Sequence, residues 1–199
     1  MVILKKTSLF VLFITSYIPL FILLILRQLK QNEDILHFNG MSRDSILCFF
    51  ESFWLTIILS LLSIYGLIGV KILFYNLDRA IDNGDLVKII DVENKNAETI
   101  AYISTYIVPF MFSDTKNTID IISILIILFF IFLIYVNTDM IIINPILNVK
   151  YSLYQIEYIR KSKSRKGLLI SKERYIETDT EIKINQITRN IYYGQKTTK

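Results

Sequence analysis

The side chains that could carry chemistry in this chain of 199 residues form two patterns. One is a basic run, RKSKSRKG, which holds Arg160, Lys161, Lys163, Arg165 and Lys166. Such a run attracts anions, either the headgroups of anionic lipids or nucleic acid. It also fits a solvated turn that fixes membrane topology, because no aromatic residue is interleaved to stack on bases. We therefore expect contact with a protein partner or with lipid headgroups, and no direct binding of nucleic acid.

The second pattern is a stripe of small residues inside an apolar segment. Its members recur at helical spacing, at Thr56, Ser60, Ser63, Gly66 and Gly69. Small side chains let another helix approach closely, so the stripe predicts helix packing or an interface between copies of the chain. The alternative is the lining of an oligomeric pore, which Ser, Thr and backbone groups can form alone. We favour packing.

The sequence offers little for catalysis or for metal binding. His37 and Cys48 are its only histidine and cysteine, which excludes an intrachain disulfide, a cysteine-cluster metal site and a site built from imidazoles. The acidic cluster around Gly84 resembles a calcium loop, but Arg79 and Ile81 would stand at two of its ligand positions. We expect no enzyme, no cofactor and no metal.

Composition defines the elements that must position these residues. The chain is 53% hydrophobic with a mean hydropathy of +0.46, which is more apolar surface than one small soluble core can use. This predicts a membrane protein with several spans. The strongest span is 118–137, which carries no charge between Ile121 and Val136 and can cross about 30 Å of hydrocarbon. The apolar run that follows either forms a re-entrant hairpin or lies along the inner interface.

Three further spans are predicted. Segment 8–27 follows a positively charged start and contains Pro19, which predicts a kink. Segment 52–73 carries the stripe of small residues. Segment 97–112 is the weakest, since about 14 residues reach only about 21 Å, so it could cross, re-enter or lie in the interface. The hydrophilic stretch 75–96 is interpreted as a cytoplasmic loop.

Charge predicts the topology. Lys5 and Lys6 precede the first span, and the residues from Lys150 onward hold twelve Lys or Arg against five Asp or Glu. The positive-inside rule places both ends in the cytoplasm, which requires an even number of crossings. Segment 97–112 is therefore counted as the fourth span.

In the tail, the spacing of the apolar residues changes from that of a helix to that of a strand. Apolar and polar residues alternate over 152–159 and again over 181–185, which indicates short strands. The predicted fold is an α-helical membrane domain over 1–147 with about four transmembrane helices. A small C-terminal β-rich cytoplasmic module, SH3-like or OB-like, follows over 150–199. Fifty residues bury too little to be stable alone, so the module should lean on other copies or on a partner.

The order of these parts resembles a known family. Four spans, an inner hydrophilic loop, the segment NAETIAYISTYIVP at 96–109, the run NPIL at 144–147 and a short β-like tail look like KwaA, the membrane subunit of the bacterial Kiwa anti-phage defence system. The resemblance implies a homo-oligomer, a tetramer, in the bacterial inner membrane. It also implies a cytoplasmic DNA-binding partner, KwaB, and it brings no catalytic residues.

Two functions follow as hypotheses. As a sensor or scaffold, the protein would oligomerise in the inner membrane, register phage attack and recruit its partner through its cytoplasmic part. As an ion-conducting or stress-gated pore, several copies would need a continuous polar path through the bilayer. No ionisable residue lies near the middle of any predicted span, which argues against ion-coupled transport.

Overall fold

The computed structural model describes residues 6–36, 42–97, 117–137, 144–160, 163–188 and 190–196. The helices are α1 (Lys6–Ser16), α2 (Ile18–Gln31), α3 (Arg43–Ala80), α4 (Thr118–Asn137) and α5 (Pro145–Lys150). The strands are β1 (Asp85–Asn94), β2 (Ser152–Arg160), β3 (Lys163–Ser171), β4 (Glu181–Gln186) and β5 (Ile191–Lys196). Short 3-10 turns follow α2 at Glu33–Leu36 and α3 at Ile81–Asn83.

The number of apolar helices differs from the prediction. Two helices in the described ranges are long and apolar enough to cross a membrane, one within Arg43–Asn83 and the other over Ile119–Val136. The pair α1 and α2 adds a third if both together form one span. The prediction of about four transmembrane helices is therefore wrong. It counts 97–112 as a span only to make the crossings even, and that segment, apart from Ala97, lies outside the described residues.

The first apolar segment is a bent pair of helices. α1 and α2 meet at an angle of 53° on either side of Tyr17. Pro19 lies in the first turn of α2, where the missing backbone N–H costs nothing because that group has no partner within the helix. The predicted kink at Pro19 is confirmed, with the break two residues earlier.

α1 and α2 run antiparallel to α3. Gln28 near the end of α2 bonds to Thr56 in the first half of α3, whereas Val11 in α1 touches Gly69 in its second half. The start of α1 therefore lies near the end of α3. α4 joins this group through Phe132, whose ring centroid is 4.9 Å from that of Phe13.

Much of the surface of α4 is not covered by the described part of the chain. Seven of its large apolar side chains are at least 50% exposed: Ile119, Ile122, Leu125, Ile126, Phe129, Phe130 and Ile134. A contiguous apolar surface of this size is unfavourable in water, so it fits a helix that faces lipid or other protein.

The five strands form one closed barrel in the order β1, β2, β3, β5, β4. All neighbouring strands are antiparallel except β3 and β5, which are parallel. β1 pairs with β2 on one side and with β4 on the other, so it closes the barrel. A bulge between Ile89 and Asp91 interrupts the register of β1 with β2, and such a bulge bends the strand.

The predicted separate C-terminal module is wrong, because β1 comes from the stretch 75–96 that the sequence analysis interprets as a loop. In β1 Val87 and Ile89 are buried in the barrel, while Asp85, Lys88 and Asp91 point outward. These outward charges make the strand look like a solvated loop. The tail alone therefore lacks one of the five strands, and the chain is a mixed α and β structure.

The apolar residues form two clusters, one inside the barrel and one between the barrel and the helices. Inside the barrel, Ile89, Ile156 and Tyr158 are among the buried residues. A second cluster joins the helices to the outer wall of the barrel, where Phe74 at the end of α3 packs with Tyr193 of β5. The barrel is therefore fixed to the end of α3.

Candidate functional site

The basic run lies at the tip of the β2–β3 hairpin. Arg160, the last residue of β2, pairs with Lys163, the first residue of β3. Arg165 and Lys166 follow on β3, opposite Tyr158 and Glu157, whereas Lys161 lies outside the described residues. Together, the four described cations form what we call the basic tip: Arg160, Lys163, Arg165 and Lys166.

Two cations of the basic tip are paired within the barrel. Arg160 Nη2 lies 2.5 Å from Asp85 Oδ2, and Lys166 Nζ lies 3.4 Å from Glu157 Oε2. Glu157 also accepts a hydrogen bond from Ser164, and this bond, followed by the nearby Lys166, holds the pKa of the carboxyl below its usual value. Lys163 and Arg165 are exposed and form no ion pair with any described residue, so they are free to meet an anion.

The basic tip lies at one end of the β2–β3 hairpin. The other end, where Ser152 pairs with Ser171, adjoins α5 and Asp78 of α3. Nine residues of β2 at roughly 3.3 Å each span about 30 Å along the strand. The tip also reaches the start of β1, because Arg160 pairs with Asp85, which follows soon after the end of α3.

A polar cluster joins α3 to the barrel, and we call it the junction. Asp78 near the end of α3 accepts hydrogen bonds from Lys172 Nζ at 2.6 Å and Gln195 Nε2 at 2.8 Å. The hydroxyl of Tyr193 donates to the same carboxylate. Burial, together with this carboxylate, raises the pKa of Tyr193 well above its usual value, so the phenol stays protonated and keeps donating.

Three aromatic rings pack beside the junction. Phe74 stacks on Tyr151 with ring centroids 4.1 Å apart, and Tyr193 meets Phe74 edge-on at 5.8 Å. Burial raises the pKa of Tyr151 to about 12, so this ring is also neutral at physiological pH. Hydrogen bonds and stacked rings together connect the end of α3 to the barrel.

Sequence reasoning missed the junction. Asp78 is separated from Tyr193 by more than a hundred residues, and in the sequence it is one of many acids in the stretch 75–96. The signal that remains is local, since Asp78 follows Phe74 by one helical turn and so lies on the same face of α3. That spacing predicts that the end of α3 makes one apolar and one acidic contact. It does not predict that Tyr193 is the partner of Asp78.

Replacing Asp78 with Ala is expected to destabilise the protein by about 1–2 kcal/mol, because the buried Tyr193 hydroxyl loses its carboxylate acceptor. Thermal unfolding of the purified protein in detergent measures this change. Asp82→Ala is the matched control, since Asp82 is exposed and forms no ion pair within the described ranges. Equal shifts for the two variants would show that the junction does not depend on this carboxylate.

The stripe of small residues faces α1 and α2 at three of its five positions. The Thr56 hydroxyl donates to Gln28 Oε1 at 2.7 Å. A Cβ at Gly66 would lie 2.8 Å from Ile14 Cγ2, and one at Gly69 would lie 2.7 Å from Val11 Cγ1. The other two members are partly buried, and Ser63 donates to the carbonyl of Leu59 in its own helix at 2.7 Å. These contacts are all within one chain.

Buried polar contacts also fix α5. Asn144, which is 0% exposed, caps this helix by accepting from the backbone N–H groups of Ile146 and Leu147. Its Nδ2 donates to Leu12 O at 3.0 Å and to Thr15 Oγ1 at 2.9 Å. The two backbone N–H groups of α5, the Leu12 carbonyl and the Thr15 hydroxyl are thereby hydrogen-bonded to Asn144. These bonds fix the start of α5 against α1.

Metal ligands do not converge in the part of the chain that the structure describes: no three His, Cys, Asp or Glu side chains come close enough to hold an ion. Gly84 ends a turn instead, donating its N–H to Ile81 O at 2.8 Å. The described features that remain are the basic tip, which is an exposed charged surface, and the junction, which holds the barrel on α3.

Comparison with known proteins gives one match. The family model for the anti-phage protein KwaA matches residues 8–193, which include nearly all of the helices and of the barrel. No curated protein and no solved structure matches. Because the match covers almost the whole chain, the protein belongs to the KwaA family of anti-phage proteins.

Proposed function

We propose that this chain is a membrane-embedded sensor and scaffold subunit of anti-phage defence, which recruits a cytoplasmic DNA-binding partner of the KwaB type. The observation that carries the proposal is the barrel itself. Asp78 of α3 holds it at one end of the β2–β3 hairpin, and at the other end it presents Lys163 and Arg165, which form no ion pair with any described residue. Such an arrangement suits recruitment, not catalysis.

Helix directions support a cytoplasmic barrel. α3 and α4 are both followed in the chain by strands of the barrel, so their C-terminal ends belong to the same side of the membrane. Since α1 runs antiparallel to α3, the start of the chain lies on that side as well. The barrel carries the basic tip, and positive charge favours the cytoplasmic face. Both termini then lie in the cytoplasm of a bacterial cell.

The exposed cations of the basic tip suit an acidic surface on a soluble partner. Lys163 and Arg165 are exposed, and among the described residues no carboxylate forms an ion pair with either of them. Exposed charges act over about 8 Å at physiological ionic strength. We therefore expect an acidic patch on the partner protein to contact the tip and to set the rate and specificity of association.

The proposed oligomer uses surfaces other than the small-residue stripe. Thr56, Gly66 and Gly69 are occupied by α1 and α2 of the same chain. The exposed apolar side chains of α4 are available instead, and contacts between four copies through this helix would cover them. Copies arranged in this way would bring several barrels together, which strengthens weak binding of a multivalent partner.

Charge removal at the basic tip tests the recruitment. Lys163→Gln with Arg165→Gln is expected to weaken co-purification of the partner about tenfold and to reduce its salt dependence, since each exposed pair contributes roughly 0.2–1 kcal/mol. The control is Arg174→Gln with Lys196→Gln, which removes the same charge from exposed positions outside the tip. Partner binding that is equally tight at every salt concentration in both variants would contradict the proposal.

A further inference from the structure

A pocket opens beside the junction, between α3, α5 and the first residues of the barrel. Its volume is about 310 Å³. Leu67, Phe74, Ile146 and Leu147 supply apolar walls, and Tyr151 closes the end next to the barrel. A space of this size takes a glycerol backbone with the upper part of an acyl chain.

The rim of the pocket is cationic. Lys71 of α3 and Lys150 of α5 both line it, both are exposed, and neither forms an ion pair with any described residue. The one carboxylate that lines the pocket, Asp78, already accepts hydrogen bonds from Lys172 and from two barrel side chains. Lys150 Nζ lies 5.8 Å from the centroid of the Tyr151 ring, which holds the ammonium at the pocket mouth. Asp78 also attracts Lys150, but the two lysines of the rim outnumber this one carboxylate, so the rim keeps a net positive charge.

The pocket lies where the apolar part of α3 ends. Leu67 is four residues, about 6 Å, before Lys71, and Asp78 is seven residues, about 10 Å, after it. Along α3 the lining therefore changes from apolar at Leu67 to charged at Asp78 over about 16 Å. This change matches the boundary between hydrocarbon and headgroups, where Lys side chains reach phosphates and Tyr rings reside.

We propose that this pocket binds an anionic glycerophospholipid from the leaflet on the barrel side. Lys71 and Lys150 hold the phosphate, and the apolar walls receive the glycerol and the first acyl carbons. The proposal rests on the membrane location proposed above. Because Phe74 and Asp78 belong both to the pocket wall and to the junction, the bound lipid also contacts the elements that hold the barrel on α3.

The test is lipid binding to the full-length protein purified in detergent, with phosphatidylglycerol and phosphatidylcholine as probes and native mass spectrometry as the readout. Phosphatidylglycerol should bind preferentially, and Lys71→Gln with Lys150→Gln should lower its affinity about thirtyfold. The matched control, Lys163→Gln with Arg165→Gln, removes equal charge at the basic tip and should leave lipid binding unchanged. Inorganic phosphate should not displace the lipid, because it leaves the apolar walls empty.

Three outcomes overturn the inference. The first is equal binding of both lipids, and the second is full binding of phosphatidylglycerol by the Lys71 and Lys150 variant. The third is displacement by inorganic phosphate, since the site would then be specific for the phosphate group alone. Fractionation separates this failure from that of the proposed function. A protein that sediments with membranes but shows no lipid preference contradicts only the inference, whereas a protein absent from membranes contradicts the proposed function.

Discussion

Replacing Ile89 with Ala is expected to destabilise the barrel by about 2–5 kcal/mol, whereas the same replacement at the neighbouring Ile90 should cost less than about 1 kcal/mol. Ile89 is 0% exposed inside the barrel and Ile90 is 43% exposed. The two residues are chemically identical and adjacent in β1. Their comparison therefore isolates burial in the barrel from any effect of composition or helix formation.

Limited proteolysis and thermal unfolding of the full-length protein measure this difference. A tail that is cleaved readily in the Ile89 variant but protected in the Ile90 variant would show that β1 is required for the barrel. If both variants resist cleavage like the unaltered protein, the tail would be stable without β1 and the five-stranded closure would be refuted.

Replacing Gly69 with Leu is expected to destabilise the helices by about 3 kcal/mol, at the upper end of overpacking costs. A Cβ at this position already lies 2.7 and 2.8 Å from the two methyl carbons of Val11, so a larger side chain must force α1 away from α3. In a chain of this size, the unfolding temperature should fall by about 5 to 10 °C. Ile68→Leu is the control, since Ile68 is 55% exposed.

A compensating pair tests the same contact. Gly69→Ala alone should be destabilising despite the better helix propensity of Ala, and Val11→Ala in the same chain should restore stability because it removes the two methyl groups in the way. If Gly69→Leu and Ile68→Leu lower the unfolding temperature equally, Gly69 is not required for the close approach of α1 to α3.

Local pattern predicts some elements of this fold well. The segment 118–137, which carries no charge between Ile121 and Val136, predicts a helix, and α4 covers Thr118–Asn137. Alternation predicts strands over 152–159 and 181–185, where β2 and β4 lie. The helix is predicted from the length of the apolar run, and the strands are predicted from their side-chain period.

Non-local pairing could not be predicted from the sequence. Asp85 pairs with Ile184 and Lys88 pairs with Ile159, so the partners of β1 lie some 70 to 100 residues away. Only two side chains of β1 enter the core, and the charges between them are typical of a loop. The junction was hidden for the same reason, since Asp78 finds Tyr193 only after the barrel has closed.

The candidate site was partly predictable. The basic run was visible as a charge cluster, but its place at one end of the hairpin depends on the length and pairing of β2 and β3. The small-residue stripe predicted close helix approach without naming α1 and α2 as the neighbours. The pocket at Lys71 and Lys150 combines two helices that are far apart in the chain, so no single segment indicates it.

The position of β1 ahead of α4 has a consequence during translation. A ribosome that adds about 5 to 20 residues per second needs roughly 5 to 20 s to make the stretch of roughly 90 residues between β1 and β4. Until then, the strand lacks β4, and its other neighbour, β2, also follows only after α4 and α5. A prematurely terminated product therefore carries anchoring helices without a finished barrel, so only complete polypeptides display the surface proposed to recruit the partner.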